Sequence, residues 1–138
     1  MIYHEAKVDI IGTDLKLGIG GSQVDNMSAG GISAPIDPAT GQVYRAAASP
    51  LIGEHKYAVH PDTKEHILGF QVPEWDSVMD LARRAARIVP AIRSVGWDIA
   101  VTSRGAILVE GNDNWGSPFS QLFDDKGFLN VLQRYADV

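Results

Sequence analysis

The chain has 138 residues with 45% apolar and 21% charged side chains, which fits one globular domain and excludes a disordered or collagen-like chain. Its net charge of −5 gives no electrostatic basis for binding nucleic acid, and the absence of cysteine excludes disulfides and thiolate chemistry. No apolar run reaches the roughly 18 residues of a membrane span, and the first residues do not resemble a signal peptide, so we expect a cytoplasmic protein without a membrane span.

The first half of the chain is rich in glycine and predicts two strands joined by a turn. We expect the strands near residues 30–36 and 42–47, because Pro38-Ala39-Thr40-Gly41 between them suits a tight reversal. Upstream, the stretch GIGGSQVDN is compatible with ordinary turn glycines or with a loop that binds phosphate. Further along, HPDTKEH is expected to be an exposed turn.

The clearest helix is predicted over residues 75–89, after Pro73 and before Pro90. Its apolar residues recur at helical spacing and are expected to be buried, whereas its arginines are expected to face solvent. The apolar stripe consists of Val78, Leu81, Ala82, Ala85, Ile88 and Val89. A short C-terminal helix is expected to bury Phe128, Leu129, Leu132 and Tyr135.

The stretch GWDIAVTSRGAILVEGN, residues 96–112, predicts a hairpin with one carboxylate in each strand. Ser103-Arg104-Gly105 is expected to form a three-residue loop, because glycine accepts the left-handed conformation that such a loop needs. The strands then cover residues 95–102 and 106–110. One face, which we expect in the core, carries Trp97, Ile99, Val101, Ile107 and Val109.

The other face of this hairpin brings oxygen-bearing side chains together. The predicted register places Asp98 opposite Glu110, with Asn112 two residues further along. Like charges on directly opposite residues destabilise a sheet, so a divalent cation would resolve the conflict, and Mg²⁺ prefers oxygen ligands of this kind. The alternative is a solvent-exposed face on which the two carboxylates point apart into water.

These elements predict an α+β fold with a single domain over residues 1–138. We expect a mainly antiparallel sheet that combines the four strands named above, with helices packed on one face of it. The face with the carboxylates would then form the floor of an open cleft.

Several motifs, in their order along the chain, resemble one known superfamily. VDNMSAGGISAPID, HPDT, GFQVPEW and the hairpin sequence are similar to segments of the sugar-transfer associated ATP-grasp family. Glu-x-Asn at the end of the hairpin resembles the metal-binding motif of ATP-grasp enzymes. The resemblance covers residues 17–114. It implies the C-terminal half of an ATP-grasp domain, whose N-terminal half is not in this chain.

The resemblance also implies cofactors and site residues. ATP-grasp enzymes use ATP and Mg²⁺ (or Mn²⁺) to activate a carboxylate as an acyl phosphate, which an amine or another nucleophile then attacks. Carried over by position, the metal ligands are Asp98, Glu110 and Asn112, and the nucleotide-binding residues are Asp25, Asn26, Gly30 and Gly31. No catalytic nucleophile is expected in the chain, because the reaction takes place between bound substrates.

Two functions follow from these inferences. The first is the ATP- and Mg²⁺-binding portion of an ATP-grasp ligase linked to sugar-transfer pathways, with a nucleotide and a small carboxylate as partners. That activity would require the missing N-terminal half. The second is a non-catalytic interaction module, which forms homo-oligomers through the exposed face of the cleft.

Overall fold

A computed structural model describes residues 1–22, 25, 30–48, 57–115 and 127–135 of the chain. Its described elements are short strands and two helices. In chain order they are β1 (Ile2–His4), β2 (Lys7–Asp9), β3 (Asp14–Leu17), β4 (Ile32–Pro35), β5 (Ala47–Ala48), α1 (Trp75–Ile88), β6 (Gly96–Thr102), β7 (Gly105–Asn112) and α2 (Leu129–Gln133). Neither of these helices is long and apolar enough to cross a membrane.

The chain folds into two compact units, of which the first uses both ends of the sequence. Unit 1 comprises residues 1–11 and 73–138, and unit 2 comprises residues 12–72. The described strands form three separate antiparallel sheets: β1 with β2 and β6 with β7 in unit 1, and β3–β4–β5 in unit 2.

The α+β class is confirmed, but one sheet of the four predicted strands is wrong for the described residues. Hairpins and turns are encoded by neighbouring residues, whereas the pairing of distant strands depends on packing that a local pattern does not contain. With no such sheet, the packing of helices on one face of it is not confirmed. The single domain stays a prediction.

Unit 2 is built around β4, whose four residues are all buried. β4 lies between β3 and β5, and its side chains Ile32 and Ala34 have no exposed surface. The predicted turn at residues 38–41 is confirmed. Gly41 has a φ of 76° and its N–H donates to the carbonyl of Asp37 at 2.7 Å, so glycine is needed where the chain reverses.

Helix α1 contributes four buried residues to the core of unit 1, where it contacts both strands of the β6–β7 hairpin. The predicted helix is confirmed to within one residue at its end. Its buried face differs from the predicted stripe, because Ile88 is 75% exposed and Val89 is exposed as well. The elements packed against a helix select its buried face, and here they select Met79, Ala82, Ala85 and Ala86.

The short helix α2 is only partly buried. Phe128, which precedes it, is buried, and its ring lies 6.3 Å from that of Trp115 between centroids. Leu129 and Leu132 are exposed, so their predicted burial is wrong. None of the five residues of this helix is buried, so its apolar contact with the rest of the unit is made by Phe128, directly before its first residue. So short a helix is marginal by itself and depends on such packing.

Candidate metal site on the hairpin

The hairpin of β6 and β7 places the two predicted carboxylates opposite each other. Asp98 pairs with Glu110 and Gly96 pairs with Asn112, in agreement with the predicted register. Asp98 is half-buried, whereas Glu110 and Asn112 are exposed. Directly opposite residues have Cβ atoms about 4.5–5.5 Å apart, so two like charges here oppose the pairing of the strands.

The loop that joins these strands is shorter than predicted. It has two residues rather than three, because Gly105 pairs with Thr102. The Thr102 hydroxyl donates to the carbonyl of Gly105 at 2.9 Å and accepts from the N–H of Arg104 at 3.1 Å. These two bonds close the loop, and Gly105 has a φ of 106° that favours glycine.

A β-bulge restores the pairing of the carboxylates. Ile99 pairs with Leu108 while Asp98 pairs with Glu110, which makes Val109 the extra residue in β7. The shorter loop shifts the register at the tip by one residue, and the bulge shifts it back. The predicted carboxylate pair is therefore right although the predicted loop is too long.

The same shift changes which side chains share a face near the tip. Cross-strand partners lie on one face, so Leu108 shares a face with Ile99, and Ile107 lies with its partner Ala100 on the face of the carboxylates. The predicted core face is therefore wrong for Ile107. The bulged residue Val109 is 64% exposed, so its predicted burial is wrong as well.

Asn112 adds an amide to the carboxylate pair. Its Nδ2 donates to Oε1 of Glu110 at 3.2 Å, so its carbonyl oxygen is the atom that it can offer to a cation. The described residues contain no group of three or more His, Asp or Glu side chains able to hold a metal ion. Two carboxylates and one amide oxygen nonetheless fit Mg²⁺, which binds through one or two carboxylates and keeps water or phosphate as its other ligands.

Two glycines at this end of the hairpin are each covered by a tryptophan. A Cβ on Gly111 would lie 2.7 Å from Cε3 of Trp97, and a Cβ on Gly96 would lie 2.7 Å from Cβ of Trp115. Trp115 is held by a hydrogen bond from its Nε1 to the hydroxyl of Ser94 at 2.8 Å. These contacts were not predicted, although the register already placed Trp97 opposite Gly111.

Comparison with protein families decides the assignment of the chain. Residues 1–137, nearly the whole sequence, match the family described as sugar-transfer associated ATP-grasp. The chain belongs to this family. The resemblance inferred from the motifs is thereby confirmed, and the match extends beyond residues 17–114 at both ends. The chain matches no curated protein and no solved structure significantly.

In this ATP-grasp chain, the residues predicted to bind nucleotide belong to unit 2 and precede β4. Asp25 is exposed, and Asn26 lies outside the described residues. Gly30 has a φ of 95°, and a Cβ there would meet no atom of the described part of the chain within 4 Å, so its backbone conformation is what requires glycine. Gly31 is buried directly before β4. The predicted metal ligands, by contrast, all lie in unit 1.

Proposed function

We propose that this chain is the ATP- and Mg²⁺-binding portion of an ATP-grasp ligase, which activates a carboxylate as an acyl phosphate. The observation that supports this function is the pairing of Asp98 with Glu110 across the hairpin. Two like charges directly opposite each other in a sheet oppose strand pairing, and a bound cation would compensate them. Membership of the ATP-grasp family over residues 1–137 supports the same function.

In this proposal, Asp98, Glu110 and the amide oxygen of Asn112 hold Mg²⁺ or Mn²⁺. The bound ion supplies positive charge that compensates the phosphates of ATP. The hydrogen bond from Asn112 to Glu110 favours one orientation of the carboxylate, which reduces the entropy lost when a ligand binds. The half-buried position of Asp98 has a similar effect on the first carboxylate.

The nucleotide is held in this proposal by Asp25, Asn26, Gly30 and Gly31. No atom of the described residues lies within 4 Å of a Cβ placed on Gly30, which leaves room beside its backbone for a ligand. The substrate is a small carboxylate, and the family description connects the reaction to sugar transfer. We place the protein in the cytoplasm, where ATP is available.

Calorimetric titration with Mg²⁺ and ATP together tests this function. We expect the wild-type chain to bind and Glu110→Gln to lose binding, because the amide keeps the size of the side chain but not its charge. Glu65→Gln is the matched control, since Glu65 is exposed and belongs to unit 2. A folded wild-type chain that binds neither Mg²⁺ nor ATP contradicts the proposal. Equal binding by Glu110→Gln contradicts the assigned ligand.

A second candidate function is a non-catalytic module that forms homo-oligomers. It is favoured by the large apolar side chains that unit 1 exposes, among them Ile88, Ile107, Val109 and Leu129. Exposed apolar side chains mark an interaction site when they form one contiguous patch. Sedimentation velocity tests this function, with Val109→Asp expected to shift an oligomer to monomer. A wild-type chain that stays monomeric at all concentrations contradicts it.

A further inference from the structure

The motif HPDT, residues 60–63, lies against a glycine-rich turn within unit 2. His60 is buried, and its Nε2 lies 2.9 Å from the carbonyl oxygen of Gly18. Its Nδ1 accepts hydrogen bonds from the N–H groups of Asp62 at 3.2 Å and Thr63 at 3.3 Å. Since Nδ1 acts as an acceptor, the ring proton is on Nε2, which donates to Gly18. The imidazole therefore joins two turns that are distant in sequence.

Asp62 makes a second bond to the same turn. Its Oδ2 accepts from the N–H of Gly20 at 2.6 Å. The turn is closed by the N–H of Ser22, which donates to the carbonyl of Ile19 at 3.1 Å. Gly20 and Gly21 have φ values of 66° and 70°, which favour glycine at both positions. The turn itself therefore requires glycine at both positions.

Among the described residues, none packs against one side of this glycine turn, residues 18–22. A Cβ on Gly20 or Gly21 would meet no atom of these residues within 4 Å. The hydrogen bonds from the HPDT motif are therefore the described contacts that hold this side of the turn in place. Asp25, the first residue proposed to bind nucleotide, follows three residues after the end of the turn.

We propose that His60 and Asp62 are positioning residues for nucleotide binding. They hold the glycine turn that precedes Asp25, the first residue proposed to bind nucleotide. The inference rests on the proposed ATP-binding function and adds residues that act on the nucleotide only through the turn. A buried imidazole with both nitrogens bonded and a charge-assisted bond to a backbone N–H are well suited to fix a glycine-rich segment, which otherwise has high backbone entropy.

Near-isosteric substitutions separate the hydrogen bond that Nε2 of His60 makes to Gly18 from those that its Nδ1 accepts within the HPDT turn. His60→Gln places an amide nitrogen near the position of Nε2 and keeps the donor to Gly18. His60→Asn places an acceptor near the position of Nδ1 and keeps the HPDT turn, but it loses the bond to Gly18. Asp62→Asn keeps an acceptor for Gly20, and Asp62→Ala removes it. Glu65→Ala is the control, since Glu65 is exposed in the same loop.

Each variant is measured in two ways: hydrogen exchange of the Gly20 amide by NMR, and ATP affinity by calorimetry. We expect Asp62→Ala and His60→Asn to exchange faster and to bind ATP about tenfold more weakly, which corresponds to about 1.4 kcal/mol. His60→Gln and the control are expected to stay within about threefold of wild type. Asp62→Asn keeps the acceptor but loses its charge, so its ATP affinity and its exchange rate at Gly20 are expected to lie between those of wild type and Asp62→Ala. Affinity for Mg²⁺ alone is expected to be unchanged in all variants, because the proposed metal ligands belong to unit 1.

The possible outcomes separate this inference from the proposed function. Unchanged ATP affinity in a variant with fast exchange at Gly20 overturns the inference and leaves ATP binding intact. Unchanged exchange in Asp62→Ala overturns it as well. Equal losses of ATP affinity in His60→Gln and His60→Asn, with a lower melting temperature in both, would indicate that His60 acts in folding alone. This result overturns the inference too. A wild-type chain that binds Mg²⁺ but no ATP overturns the proposed function, and with it the role of the turn.

Discussion

The indole ring of Trp97 lies directly against Gly111, the residue between Glu110 and Asn112. A Cβ on Gly111 would be 2.7 Å from Cε3 of the ring and still closer to Cζ3. The ring is rigid, so it cannot make room by rotating one terminal atom. The contact therefore fixes the backbone from which two of the proposed metal ligands project, and it explains why the middle residue of Glu-Gly-Asn is glycine.

Gly111→Ala is expected to displace the Trp97 ring and to disturb the hairpin. Overpacking of this kind costs about 1–3 kcal/mol in the free energy of unfolding. Because Glu110 and Asn112 flank the substitution, we also expect affinity for Mg²⁺ to fall by about tenfold. Urea unfolding measures the first effect, and calorimetric titration with Mg²⁺ measures the second.

A double-mutant cycle provides the control for this prediction. In a Trp97→Leu background the ring is absent, so Gly111→Ala is expected to cost less than it does in the wild-type chain. Equal costs in the two backgrounds would show that the alanine acts through something other than the ring contact.

Asp98→Asn combined with Glu110→Gln is expected to abolish Mg²⁺ binding without loss of stability. The substitutions remove a like-charge pair from opposite strands, so the free energy of unfolding in the absence of metal is expected to stay the same or to rise by up to about 1 kcal/mol. Urea unfolding and calorimetry measure the two quantities.

The variant Asp76→Asn with Glu65→Gln is the matched control for this double substitution. It changes the net charge equally at exposed positions outside the hairpin, and it is expected to keep Mg²⁺ binding. A double variant of the hairpin that unfolds more readily than wild type counts for a structural role of the carboxylates and against the cation site.

Stability of the 138-residue chain with a free amine at Met1 is expected to rise between pH 6 and pH 8. The amine donates to the carbonyl of Val95 at 3.0 Å, and burial lowers its pKa from 8.0 to about 6. Between these values the unfolded chain binds more protons than the folded one, so raising the pH favours folding, by about 2 kcal/mol over the whole interval. Urea unfolding at pH 6 and pH 8 measures the change.

An N-terminally acetylated chain is the control for this pH dependence. Its amide N–H can still donate to Val95, but it does not titrate, so the increase due to Met1 is expected to disappear. If the acetylated and free chains show the same increase, other groups cause it.

Tyr135 is expected to ionise above its ordinary pKa of 10.0. Its hydroxyl donates to Oδ2 of Asp9 at 2.6 Å, and this hydrogen bond is the largest cause of the raised pKa. Since the pKa is higher in the folded chain, the stabilisation is present below pH 10 and is lost as the pH rises through the folded pKa. The difference in ultraviolet absorbance between wild type and Tyr135→Phe follows this ionisation. Asp9→Asn is expected to lower the pKa of Tyr135, and an unchanged value would contradict the assigned cause.

Local features could be predicted from the sequence, because residues close in the chain determine them. The periodicity between Pro73 and Pro90 predicted α1, the Pro-Ala-Thr-Gly turn was confirmed, and the pairing of Asp98 with Glu110 was right. The ordered motifs also identified the ATP-grasp family, since together they span most of the chain.

Other features depended on contacts between residues that lie far apart in sequence. The burial of Met79 rather than Ile88 reflects what packs against α1, and the division of the strands into three sheets reflects which strands meet. The contact of Trp115 with Gly96 and the bond from His60 to Gly18 belong to the same class. The sequence by itself determined the local elements, the carboxylate pair and the family. Only the tertiary structure decided which faces are buried and which turns are held together, because burial and long-range hydrogen bonds are properties of the folded chain.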